Sequence, residues 1–152
     1  MKITKGIRIL DKQGRIVSVD MPDILMEVDN GDYFYWSILS IDGNGYLRID
    51  QEFLDLIENI RNSPNGVVVT WEELNMFSKS FEQIIDSIII GCKDKSLLHR
   101  YEEDQEMYET CDFVINMFDS SFWEVFSKDD QFINKLTSKF KDIELLESDF
   151  NS

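Results

Sequence analysis

The chain is short of positive charge. It has 15 Lys and Arg against 30 Asp and Glu in 152 residues, a formal net charge of -15. Nucleic acid is bound by releasing counterions to Lys and Arg, so this balance disfavours DNA and RNA as partners. Anionic membrane surfaces are disfavoured for the same reason. Long apolar runs are missing too, and no stretch is long enough to span a bilayer. Met1 to Leu10, with Lys2, Lys5 and Arg8 scattered through it, does not read as a signal peptide. The two cysteines, Cys92 and Cys111, form no CxxC pair. Without an export signal they read as reduced, buried thiols of a cytoplasmic protein, with a disulfide between them as the disfavoured alternative.

Sequence signatures of catalysis are also lacking. His99 is the sole histidine, and no HExxH, GxSxG, P-loop or GxGxxG occurs. Within Ser40 to Leu47, the part from Asp42 through Leu47 imitates the middle of a calcium loop, with Asp42, Asn44 and Gly45 at suitable offsets. Its ends would be Ser40 and Gln51, and calcium needs anionic ligands there, so the segment reads as a glycine-rich turn between strands. No metal or cofactor is expected. Carboxylate pairs such as Asp29/Asp32, Glu72/Glu73 and Asp129/Asp130 each have a structural role available in a turn or a helix cap.

What the chain does have is a core. It is 43% hydrophobic and 12% aromatic, unlike the apolar-poor composition of disordered acidic chains. Its length suits one domain, residues 1–152, without repeats or a linker. Alternation from residue 2 to residue 10, the turn Asp11 to Gly14, and Ile16, Val17 and Val19 predict a β-hairpin. A buried strand is expected over Tyr33 to Ile41. Asp50 reads as the N-cap of a helix bearing Phe53, Leu54, Ile57 and Ile60. Val67 to Val69 suits a short strand. Thr70-Trp71-Glu72-Glu73 is a capping box, opening a helix with Trp71, Leu74, Phe77 and Ser78 inward. Phe81 to Cys92 fits a helix by spacing, but its β-branching and Gly91 favour a strand for the second half. Leu97 to Glu109 is predicted helical, with Leu97, Tyr101 and Tyr108 on one side and His99 solvated on another face from Tyr101. Cys111 to Phe118 and Phe122 to Ser127 read as paired strands. Asp129 caps a last helix with Phe132, Ile133, Leu136 and Phe140 inward, and Ile143 to Leu146 closes the sheet. Helices and strands alternate irregularly, so the predicted class is α+β, with a mixed or mostly antiparallel sheet. Trp36, Trp71 and Trp123 are expected in the core.

The densest charge cluster is Glu102-Glu103-Asp104-Gln105-Glu106, followed by Glu109, with Arg100 as its only near cation. It reads either as a solvated helix face or as an anionic docking surface. In the second case Glu102, Glu103, Asp104 and Glu106 are the expected contacts with a basic protein. Tyr101, Met107 and Tyr108 are then available as apolar anchors, unless the core claims the two tyrosines.

The Thr70 to Leu74 segment, Gln83-Ile84-Ile85-Asp86, and Ser121 to Asp129 before the last helix look like parts of small bacterial immunity proteins. The chain resembles, in type more than in motif, the antidotes of contact-dependent inhibition and related polymorphic toxin systems. That resemblance implies a non-enzymatic protein that binds a cognate cationic toxin, often a nuclease, and occludes its active or substrate-binding cleft. Two other readings compete with it. A small hydrolase or lyase using carboxylates from separated segments would need a deep pocket holding a carboxyl of raised pKa. A subunit of a larger assembly would show an exposed apolar patch.

Overall fold

The computed structural model describes residues 3–149 and has an α+β architecture. Its frame is a seven-stranded sheet built from β1 (Ile3–Ile9), β4 (Tyr35–Tyr46), β5 (Val67–Val69), β6 (Phe81–Cys92), β7 (Phe113–Phe118), β8 (Phe122–Ser127) and β9 (Ile143–Asp149). The order is β5-β4-β6-β7-β8-β1-β9, and every neighbouring pair is antiparallel.

Four helices cover one side: α1 (Met21–Leu25), α2 (Gln51–Asn62), α3 (Trp71–Ser78) and α5 (Asp130–Lys139). Their apolar residues, among them Ile24, Phe53, Phe77 and Leu136, share one core with Trp36, Ile89, Ile115 and Val125 of the sheet. The starts of three helices follow from their caps. Asp50 accepts from the Phe53 amide (3.3 Å), and Asp129 accepts from the amides of Gln131 and Phe132 (3.0 and 3.3 Å). Thr70 and Glu73 close a reciprocal box at 3.1 and 2.8 Å. Trp36 and Trp123 are fully buried because each indole N–H has a carbonyl partner, Gly31 and Val19, both at 2.7 Å. Trp71 packs half-buried against Trp36.

Three expectations are corrected. The residue 2–19 hairpin does not form. Only Lys12–Gln13 (β2) and Ile16–Val17 (β3) pair there, and β1 inserts instead between β8 and β9. Pairing with residues more than a hundred positions away buries Ile7 and Ile9 completely, which an isolated hairpin could not do. The segment Asp42 to Gly45 is not a turn between strands, because β4 runs through it and pairs with β6 as far as Tyr46. The ladder absorbs the irregularity as register shifts at Ile38/Ser40 and Asp42/Gly43, and Gly45 adopts φ +66, which a glycine takes without strain. Phe81 to Cys92 is a strand throughout, since a central position between β4 and β7 offers both of its edges a partner.

The helix expected over Leu97 to Glu109 is also broken. A 3-10 turn occupies Lys95–Leu97, and α4 spans only Asp104–Thr110. Between them the chain is irregular. This segment lies on the second side of the sheet, where Leu97, Leu98, Tyr101, Met107 and Tyr108 pack over Leu39, Ile90, Val114 and Phe126.

Candidate functional site

The acidic cluster belongs to this second side. Asp94 starts the approach: its carboxylate accepts from the amide and hydroxyl of Ser96 (2.9 and 2.8 Å), which hold its pKa below the ordinary carboxylate value. Arg100 then fixes the irregular stretch. Its backbone N–H donates to Asn65 Oδ1 (3.3 Å), its Nε to the Pro64 carbonyl (2.8 Å) and its Nη2 to the Leu39 carbonyl (2.5 Å). Leu39 lies at the Ile38/Ser40 register shift, where β4 has one residue more than β6. A bulge leaves backbone groups without ladder partners, and the guanidinium supplies one.

From there α4 is held down by its apolar side. Met107 is buried, and the Tyr108 ring stacks on Phe126 with centroids 3.8 Å apart. Gly6 of β1 faces Phe126 across the ladder, and a Cβ there would collide with that ring. These contacts correct the anchor expectation for Met107, which is buried and turned to the protein's own core. The two tyrosines do likewise in large part.

With the apolar side down, Glu102, Glu103, Asp104 and Glu106 are all exposed, and Glu109 is half-buried. The described ion pairs are Arg8 with Glu124 and Glu144, Arg48 with Asp50, Lys135 with Asp29 and Lys139 with Glu27. None reaches residues 102–109. The two nearest cations are engaged elsewhere, Arg100 as above and Lys128 on the Thr110 carbonyl (3.0 Å). Neither is described in an ion pair with these carboxylates. Tyr108 registers nearby negative charge: burial first, then Asp104 and Glu124, push its phenol up to about 12.

His99 does not sit on a helix. Its ring stacks on Tyr101 with centroids 4.1 Å apart. The chain bends at His99, and the two rings that helical geometry would separate come into contact.

The hydrolase reading finds less. A groove of about 530 Å³ on the four-helix side is lined by Asp20, Glu82, Gln83 and Trp123, among others. Asp20 has its carboxyl raised, by desolvation first and then by Asp23, but the residue serves as the N-cap of α1. The Gln83 amide is committed to Ser120 Oγ (2.7 Å). His99 packs with the opposite side of the sheet. Exposed apolar side chains include Met26 after α1, the neighbouring Tyr33 and Tyr35, the neighbouring Leu47 and Ile49, and Leu145 on β9. Among the described residues no helix is long and apolar enough to cross a membrane.

Comparison with family models, curated proteins and solved structures finds no match for this chain.

The four expected contact residues were readable as a charge run. The Arg100 anchor was not, because it depends on a bulge more than sixty residues away in β4. A lone Arg beside five carboxylates that it does not pair with leaves no local signal.

Proposed function

We propose that this chain is a non-enzymatic binding protein that neutralises a cationic protein, a cognate toxin of nuclease type, by occluding its active or substrate-binding cleft. The observation that carries this reading is the set of unpaired, exposed carboxylates of Glu102, Glu103, Asp104 and Glu106 on a segment fastened to the sheet. A nuclease cleft is lined with cations that meet phosphates. Carboxylates presented together can occupy those positions through charge-assisted hydrogen bonds. Because the segment is anchored before binding, little ordering entropy opposes association. The resemblance to bacterial immunity proteins points the same way. The cytoplasm, where such antidotes work, is part of this proposal.

The test begins with co-purification from the native cell at low salt. The recovered basic partner is then isolated, and its catalytic activity is titrated with the purified chain. Stoichiometric loss of that activity supports the reading. A partner that stays fully active when saturated with the chain overturns it.

A further inference from the structure

Cys92 ends β6, and Cys111 lies between α4 and β7. Both are free, and both are closed off from solvent, with 0% and 1% of their surface exposed. The backbone around them is drawn together: the Asp112 amide donates to the Gly91 carbonyl (2.9 Å), and the Lys93 amide donates to the Asp112 carboxylate (2.9 Å). The two side chains belong to the same buried cluster on the second side of the sheet.

We propose that Cys92 and Cys111 are an oxidisable dithiol that closes into an intramolecular disulfide and ties the acidic segment to β6. This goes beyond the docking reading and does not rest on it.

The two sulfurs are unequal. Its neighbour Cys92 lowers the Cys111 pKa against the opposing effects of burial and Asp112, and Lys128 adds to the lowering. Tyr101 also adjoins Cys111, but its one proton goes to the Leu97 carbonyl (2.7 Å). Cys92 is raised, by Cys111 beside it and by burial. Lys128, whose ammonium sits on the Thr110 carbonyl (3.0 Å) next to Cys111, favours Cys111 as the attacking thiolate and leaves Cys92 as the resolving thiol. With a peroxide as oxidant, the Cys111 thiolate attacks one oxygen, the O–O bond breaks, and a sulfenic acid and hydroxide result. Cys92 sulfur then displaces the sulfenic oxygen, which leaves as water with the Cys92 proton. The thiols lose two electrons and the peroxide gains them.

Access requires the 98–110 segment to lift, and Arg100 is its clasp. Loosening that clasp should speed oxidation. The closed bridge also constrains the unfolded chain over the loop from Cys92 to Cys111, so the oxidised protein should melt several degrees higher.

The experiment treats the reduced full chain with hydrogen peroxide at neutral pH, then quenches in urea with N-ethylmaleimide. Intact mass should fall by about 2 Da with no maleimide added, as two hydrogens leave. A tryptic map should join residues 80–93 to residues 101–128. Arg100→Gln should form the bridge several-fold faster, and Cys111→Ser should leave Cys92 free for maleimide. Recovery of two maleimide adducts from both the parent and the Arg100→Gln chain overturns the proposal. So does a disulfide between chains, or sulfinic acid formed without a bridge.

Discussion

The Arg100 guanidinium donates to the Leu39 carbonyl, the main-chain group of the residue that β4 has in excess over β6. A cation just before the acidic run is thereby turned onto the backbone, and the carboxylates that follow it are left without it as a partner. Arg100→Ala removes the bonds to both Leu39 and Pro64. We expect a loss of about 1.5–3 kcal/mol in urea unfolding, the range for a hydrogen bond involving a charged group. Amide exchange over residues 101–107 should rise more than exchange in β7. An unchanged exchange pattern would show that the segment is held by its apolar contacts alone.

Tyr108 offers a test of the local field. Its phenol is raised from the usual 10 to about 12, chiefly by burial and then by Asp104 and Glu124. The folded state holds the proton more tightly than the unfolded state, so stability is intact below pH 10. It should fall as pH rises from about 10 towards about 12. Tyr108→Phe keeps the ring on Phe126 and should remove part of this alkaline loss, as followed by thermal melts across that range. Asp104→Asn should lower the Tyr108 titration midpoint in ultraviolet absorbance.

Thr70→Ala breaks the box in which Thr70 accepts from the Glu73 amide and Glu73 accepts from the Thr70 amide. The expected cost is about 1 kcal/mol in denaturant unfolding. Thr70→Ser should retain most of it.

The parts of the fold that were legible in the sequence are those governed by near neighbours. Asp50, Thr70 and Asp129 mark helix starts because a cap is made within three residues. The β7–β8 hairpin was readable because Asp119 and Ser120, both at positive φ, turn the chain between two apolar runs. The misread parts depend on distant partners. β1 leaves its expected hairpin to lie between β8 and β9, and Gly43 and Gly45 look like a turn until β6 is placed beside them. The spacing of Leu97, Tyr101 and Tyr108 suggested one helix, yet Arg100 reaches across to Leu39 and Pro64 and holds the chain out of helical geometry. For the site, the carboxylates were evident in the sequence as a run. Their lack of cationic partners became evident only once Arg100 and Lys128 were seen bonded to carbonyls.

The most direct measurement is the association rate constant of the isolated basic partner with the chain, taken over a series of salt concentrations. The variant to compare has Glu102, Glu103, Asp104 and Glu106 all changed to Lys, positions exposed enough for the fold to persist. Steering by this face requires the variant to associate roughly tenfold or more slowly at low salt, with a much flatter salt dependence. Equal rates and equal salt slopes for the two proteins would contradict it.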